Sequence, residues 1–219
     1  MARIARVVLP GYPHHVTQRG NRKQRVFFSD DDYDHYLKLI ARGCLDSQTN
    51  CLAYCLMPNH VHLVLAPSTE RGLQATLAEA HRRYTRRVNF RNDWRGHLWQ
   101  ERFHSFPMND GHLAAVVRYV ELNPVRARLV LQAKDWKWSS AQAHLTGTDD
   151  VLVRVEPMLA LFPDWTTYLA EHDQVDIESI RVHTRTGRPL GNSKFLQTAE
   201  SLTGRVLAPQ KPGRKPTVS

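Results

Sequence analysis

The chain has 219 residues, of which 30 are lysine or arginine and 21 are acidic, so its net charge is +9. Hydrophobic residues make up 42% of it, which excludes a natively disordered chain, and no apolar run reaches the ~18 residues of a membrane span. The cysteines Cys44, Cys51 and Cys55 form no C-x-x-C pair, which argues against a disulfide scaffold and a zinc knuckle. We expect a cytoplasmic protein, and the basic excess favours a nucleic-acid partner.

In chain order, the pattern predicts a strand at 13–18 and a helix that begins at the N-cap Ser29 and ends near Gly43. Strands follow at 51–57 and 60–66, and the two-residue link between them indicates an antiparallel hairpin. Helical spacing then predicts helices at 73–91 and 110–123, a helical piece at 139–145 and two short pieces within 151–180. This order predicts an α+β sandwich in which a small antiparallel sheet carries helices on one face.

Two histidines share one face of the strand predicted at 60–66. Side chains alternate between the faces of a strand, so His60 and His62 point the same way, about 6–7 Å apart. Two neutral imidazoles at that spacing can bind one metal ion. Because the chain has 12 histidines, the pair can also be two surface side chains. The spacing alone leaves both interpretations open.

A tyrosine and an amide lie one helical turn apart at the end of the predicted helix 110–123. Tyr119 and Asn123 are four residues apart and therefore share a helix face. The amide oxygen can join two imidazoles around a metal ion that keeps positions open for a phosphate, which Tyr119 can attack. The alternative is a packing tyrosine followed by a helix C-cap at Asn123, because Pro124 disfavours helical geometry before it.

The chain resembles the single-tyrosine HUH transposases, in particular those associated with repeated extragenic palindromes (REP-associated tyrosine transposases). The resemblance spans about residues 3–145 and rests on PGYPHHVTQRGNRKQRVFF, LMPNHVHLVL, HLWQERFHS, RYVELNPVRARLV and DWKWSS. The most specific part is PNHVHLV followed by RYVELNPVRA.

This resemblance implies that His60, His62 and Asn123 are metal ligands and that Tyr119 is the nucleophile. It also implies a ferredoxin-like fold and bound Mg²⁺ or Mn²⁺, of which the imidazole ligands favour Mn²⁺. The expected function is a transposase-type endonuclease and strand transferase, associated with the nucleoid. It would cleave and rejoin single-stranded, REP-like hairpin DNA through a phosphotyrosine intermediate.

Two alternative functions remain open at this point. One is a non-catalytic protein, derived from a transposase, that binds DNA or RNA hairpins. The other is a metal-dependent hydrolase in which water attacks, and Glu121 is the carboxylate near Tyr119 in sequence. The sequence does not distinguish a monomer from a homodimer, although the long extension favours a monomer.

About 70 residues follow the region of resemblance. We predict a transposase domain over 1–146 and, over 147–219, a helical extension that ends in a basic flexible tail. Candidate DNA contacts lie along the helix at 73–91, just beyond it, and in two Gly-Arg-Pro segments like those that enter a minor groove. They are Arg82, Arg83, Arg86, Arg87, Arg91, Arg95, Arg188 and Arg214. A solvated helix face and a plain flexible tail are the respective alternatives.

Overall fold

The computed structural model describes residues 5–171 and 177–208. A four-stranded antiparallel sheet in the order β2-β3-β1-β4 lies at its centre. Its strands are β1 (His14–Arg19), β2 (Thr49–Met57), β3 (His60–Pro67) and β4 (His104–Pro107). Helix α1 (Asp30–Asp46) connects β1 to β2, and helix α2 (Gly72–Arg91) connects β3 to β4. This succession and strand order are those of the ferredoxin-like fold, so the predicted α+β class and antiparallel sheet are confirmed.

Helices α1 and α2 cover one face of the sheet. Leu37 of α1 and Tyr84 of α2 pack with Val16 of β1 and Leu63 of β3 in one buried cluster. The two helices approach closely at Gly43, where a Cβ atom would lie 2.4 Å from the Thr76 carbonyl oxygen. Helix α1 therefore continues through this glycine to Asp46 instead of ending near it, because the glycine serves the helix crossing.

A further helix, α3 (Asp110–Glu121), covers the second face of the sheet. Its residues Val117 and Val120 pack with Val64 of β3 and Phe106 of β4. The expectation of helices on one face is therefore correct for α1 and α2 but wrong for the whole chain. The reason is that β3 is buried on both sides, so the side chains on each of its faces need a covering layer.

The residues that follow α3 form short helices, most of which pack on this second face. They are α4 (Asn123–Arg126), α5 (Ala141–Thr146), α6 (Glu156–Leu159), α7 (Trp165–Ala170), α8 (Ile177–Thr186) and α9 (Ser193–Thr203). Met158, Trp165 and Ile180 join the buried cluster beneath α3. Helix α9 was not expected, because the last helical piece predicted from the sequence ends by residue 180. It packs by Phe195 against Leu9 near the start of the chain. No helix of the described ranges has the length and apolar character that a membrane crossing requires.

Buried His14 gives the fold a pH dependence. Its Nε2 accepts a hydrogen bond from the Leu9 N–H at 3.0 Å, and its Nδ1–H donates to the Tyr12 carbonyl at 2.8 Å, so the ring is held neutral. Burial lowers the pKa of His14 to about 4, from an ordinary value of 6.5. A proton at Nε2 would face the Leu9 N–H, and desolvation would penalise its charge.

We predict that His14 lowers stability as the pH falls from about 6.5 towards 4. In that window the unfolded chain binds a proton at residue 14 that the native state excludes, which costs up to about 1.4 kcal/mol of unfolding free energy per pH unit. Urea denaturation across this range should give a shallower pH slope for His14→Gln than for the wild type. Equal slopes would contradict the prediction.

Candidate active site

Three histidines lie side by side on the second face of the sheet. In the pairing of β1 with β3, Thr17 lies opposite His62 and Arg19 opposite His60. His15 therefore points to the same face as both β3 histidines. The ring centroids of His60 and His62 are 4.9 Å apart, and the His15 ring lies parallel to the His62 ring, edge to edge with it, at a centroid distance of 5.1 Å. The expectation that His60 and His62 converge is met, and His15 is an unexpected third member of the row.

Both β3 histidines use Nδ1 in hydrogen bonds within the protein. His60 Nδ1 lies 2.6 Å from Asn59 Oδ1, and His62 Nδ1 lies 2.9 Å from His15 Nε2. Nε2 is thus the nitrogen that each ring can offer to a ligand. For His62 to offer a lone pair there, its Nδ1–H must donate to His15 Nε2, so His15 sets the tautomer of His62.

Burial keeps these imidazoles uncharged. Desolvation lowers the pKa of His15 to about 3 and that of His60 to about 4. The pKa of His62 is well below its ordinary value, first because of burial and then because of His60. All three rings are therefore neutral at neutral pH, and the neutral form is the one that binds metal ions.

Helix α3 holds Tyr119 above this row of histidines. The phenol ring stands almost perpendicular to the His62 ring, with 5.7 Å between their centroids, and lies 6.0 Å from the His15 ring. The guanidinium of Arg126 lies 4.3 Å from the centroid of the phenol ring and donates to the Tyr119 carbonyl. Because valines occupy the buried side of α3, Tyr119 lies half-buried at the edge of the helical layer on the second face.

Asn123 begins a new helix instead of capping α3. Helix α3 ends at Glu121 with Leu122 as its C-cap, and Asn123 is the first residue of α4, with Pro124 in the first turn. The expected break before Pro124 is confirmed, and the alternative role of Asn123 as a C-cap is wrong. Within the described residues, its buried side-chain nitrogen has no hydrogen-bond partner. This donor is available to an acceptor such as a phosphate oxygen, whereas a metal ion would bind the oxygen of the same amide.

These residues line one cleft of about 550 Å³. His60 and His62 lie in it together with Tyr119 and Asn123, as the sequence predicts. A larger cleft of about 690 Å³ lies elsewhere, along α1, β2 and the segment 150–157, and contains none of the four. The described part of the chain has no group of three or more His, Cys, Asp or Glu residues suited to a metal ion. A metal ion bound by the two histidines would therefore need the amide or solvent as further ligands.

Comparison with known proteins identifies the family. The family model of the IS200-like transposases matches residues 10–123, more than half of the chain, and this range contains all four residues above. The chain belongs to the IS200-like transposase family. The family expected from the sequence is thereby confirmed, and with it a transposase-type activity.

Two similar proteins refine the position of this IS200-like transposase. A protein of Haemophilus influenzae named "Putative REP-associated tyrosine transposase" is 28% identical over 121 residues, which are 50% of this chain and 69% of that protein. A solved structure of a REP-associated tyrosine transposase bound to a REP hairpin has a TM-score of 0.58 and 20% identity. The matched region covers 71% of this chain and 93% of the chain in that structure. At that identity the structural match supports the fold alone.

The arginines predicted to contact DNA lie mostly away from this cleft. Helix α2 is on the opposite face of the sheet, where Arg82 and Arg83 pair with Glu79, Arg87 pairs with Asp31, and Arg91 binds the buried Asp32 through two hydrogen bonds. The sequence predicts little acid along this stripe. Two of the three acidic partners, Asp31 and Asp32, belong to α1 and reach the stripe only through tertiary packing, whereas Glu79 lies on α2 itself.

Of the remaining predicted arginines, Arg86 is exposed on α2 and Arg95 lines a separate cleft with Trp94. Arg188 donates to the carbonyls of Leu207 and Ala208 and so holds the end of the described chain. Arg214 lies outside the described residues. A DNA-binding role for these arginines stays a prediction.

Other cationic residues do line the cleft of the IS200-like transposase. They are Arg19 at the end of β1, Lys23 in the following turn, and Arg181 and Arg185 on α8. A period-two pattern through His15, Thr17 and Arg19 was visible in the sequence and would have placed Arg19 on a face with His15. The α8 residues carried no such signal, because only tertiary packing brings them to the cleft.

The carboxylate of Glu121 is unsuited to activating a water molecule in the cleft. It is fully buried and accepts hydrogen bonds from Ser140 Oγ at 2.5 Å, His144 Nδ1 at 2.7 Å and Trp165 Nε1 at 2.8 Å. These donors belong to the segments after α3, and of them Trp165 lies in the extension, so Glu121 ties α3 to α5 and to the extension. The residues that line the cleft do not include it.

We predict that Glu121→Gln destabilises the protein. The amide would present N–H groups to one of the buried donors, and a buried donor without an acceptor costs about 1–3 kcal/mol. Urea denaturation should show a loss of that size, whereas the exposed Glu156→Gln on α6 should change the unfolding free energy by less than ~0.5 kcal/mol. A fully stable Glu121→Gln variant that lacks activity would instead indicate a catalytic carboxylate.

Proposed function

We propose that this IS200-like transposase is a metal-dependent endonuclease and strand transferase. It acts on single-stranded DNA and forms a phosphotyrosine at Tyr119. The observation that carries the proposal is the position of this phenol ring, 5.7 Å from the ring of His62 in a cleft shared with His60 and Asn123. Tyrosine, imidazole and amide are there together, and the cleft also carries basic side chains.

The residues of the cleft fit a divalent cation. His60 and His62 are neutral and each has Nε2 to offer, and Asn123 lines the same cleft with an amide oxygen that can join them around an ion. We propose these three as ligands for Mg²⁺ or Mn²⁺, with Mn²⁺ the tighter because imidazole is a softer ligand than oxygen. When bound, such an ion neutralises charge on the scissile phosphate and makes phosphorus more electrophilic.

The protein's own groups then perform the exchange. Tyr119 loses its phenolic proton to solvent, its oxygen forms a bond to phosphorus, and the phosphorus–oxygen bond to the departing sugar breaks as that oxygen takes up a proton. Arg126 holds the phenol ring in place by stacking on it. Because the phosphotyrosine retains the energy of the broken ester, attack by another strand's hydroxyl rejoins DNA without ATP and frees Tyr119.

The REP-type hairpin is the substrate class that the comparisons favour. The similar solved transposase is bound to a REP hairpin, and the H. influenzae relative carries the same REP-associated name. We propose that this chain also acts on a single-stranded DNA hairpin with an unpaired flank.

The nucleophile is tested by Tyr119→Phe, which removes only the phenolic oxygen. We predict that this variant binds a single-stranded hairpin oligonucleotide with Mn²⁺ as the wild type does but forms no covalent DNA–protein adduct. Denaturing gel electrophoresis and mass spectrometry of the adduct peptide measure this. Tyr12→Phe is the matched control, since Tyr12 is also half-buried but packs against Phe195, outside the cleft.

Two results would contradict the assignment of the nucleophile. An adduct in Tyr119→Phe would mean that another side chain attacks. Tyr54 and Tyr84 are poor substitutes, because both are buried and their hydroxyls donate to Asp150 and to the Val26 carbonyl. Cleavage without an adduct in both wild type and variant would mean that water attacks.

The ligand arrangement is tested through His15, which positions His62. We predict that His15→Leu weakens Mn²⁺ binding by about tenfold or more, because His62 loses the acceptor that sets its tautomer. Isothermal titration calorimetry with Mn²⁺ alone measures the affinity without reference to cleavage, and His62→Ala should show a greater loss.

The control for this measurement is the buried neighbour of His15. His14 points to the opposite face of β1, so His14→Gln should keep the wild-type Mn²⁺ affinity. Unchanged Mn²⁺ affinity in His15→Leu would rule out the positioning role, and unchanged affinity in His62→Ala would rule out the proposed ligand set.

A further inference from the structure

Helix α8 is attached along the edge of the sheet beside the cleft. Ile180 is 1% exposed and belongs to the buried cluster of α3, and the His183 ring lies 5.8 Å from the Phe106 ring of β4. After the helix, the Leu190 N–H donates to the Pro107 carbonyl at 2.8 Å, and the Asn109 N–H donates to the Leu190 carbonyl at 3.2 Å. Leu190 thus forms a single parallel bridge with Met108, which fixes the end of this segment beside β4.

This attachment directs one face of α8 into the cleft that holds Tyr119. Arg181, Thr184 and Arg185 lie three and four residues apart, on one face of the helix, and all three line the cleft with His60 and His62. The family match ends at residue 123, so this helix lies outside the part of the chain that defines the family.

The two arginines of α8 are available to an anionic ligand. Arg185 pairs with Glu178 at 3.1 Å and Arg181 with the same carboxylate at 3.6 Å, and their side chains are 68% and 60% exposed. Exposed ion pairs of this kind contribute only about 0–1 kcal/mol, so phosphates can replace the carboxylate. With Arg19 and Lys23 they surround a cleft whose described lining residues include no carboxylate.

We propose that α8 is part of the DNA site, with Arg181 and Arg185 binding backbone phosphates of the single strand beside the scissile phosphate. The inference rests on the proposed function, since it takes the cleft at Tyr119 as the place of cleavage. Arginine suits this role because its guanidinium forms two parallel hydrogen bonds to a phosphate. The extension would then help to hold the strand that Tyr119 cuts, which a protein limited to the family-matched region could not do in this way.

The test compares two pairs of arginines in the full chain. The double variant Arg181→Ala/Arg185→Ala removes the α8 cations. The control Arg42→Ala/Arg154→Ala removes two arginines that are also exposed and ion-paired but lie at the other large cleft. Fluorescence anisotropy with a labelled hairpin oligonucleotide that carries an unpaired flank gives the affinity over a range of salt concentrations. The slope of log K against log salt is negative, and each lost phosphate contact to a single strand reduces its magnitude by about 0.7, so the α8 variant should have a slope shallower by about 1.4.

The control variant should keep the wild-type slope. The charge-conserving Arg181→Lys/Arg185→Lys variant should recover most of the slope that the alanine variant loses. This recovery separates a phosphate contact from a folding defect. An α8 variant with the slope of the control variant would overturn the inference.

The proposed function fails separately, through an adduct in Tyr119→Phe while the slopes still differ as expected. A wild type that does not bind the oligonucleotide at all would overturn both.

Discussion

The pairing of β1 with β3 is the constraint on which the site depends. This register places Thr17 opposite His62 and so directs His15, His60 and His62 to one face of the sheet. A shift of one residue would turn His15 towards α1 and α2 and expose Val16 in the cleft. Burial of Val16 and Leu63 under α1 and α2, each stabilising by about 1.5–3 kcal/mol, prevents that shift. Apolar packing on one face thus aligns the polar groups on the other.

The segments after α3 support the tyrosine from two directions. Glu121 on α3 binds Ser140, His144 and Trp165, so the helix that carries Tyr119 is tied to α5 and α7 at a point two residues beyond the phenol. Helix α8 packs on the same buried cluster from the β4 edge. The residues after 123 therefore contribute to the position of the tyrosine and to the wall of the cleft, although the family match stops there.

Positive charge is divided between two faces with different partners. On α2 most of the predicted arginines already have carboxylate partners, and Arg91 with Asp32 fastens the start of α1 to the end of α2. At the cleft, the cations Arg19 and Lys23 come from the strand end and the turn that also frame the histidines. A charge stripe on a helix is thus a poor guide to the cleft, because only the packing decides which face of the sheet the helix covers.

Features that depend on short spacings could be predicted from the sequence. The β2–β3 hairpin, the common face of His60 and His62, and the break before Pro124 follow from strand alternation, a two-residue turn and the geometry of proline. Other features became visible only in the folded chain: His15 bonds to His62, Asn123 starts α4, helices cover both faces of the sheet, and α8 reaches the cleft. These features depend on strand register and on packing between segments far apart in the chain. No local residue pattern encodes either, because both are selected by the burial of the whole core.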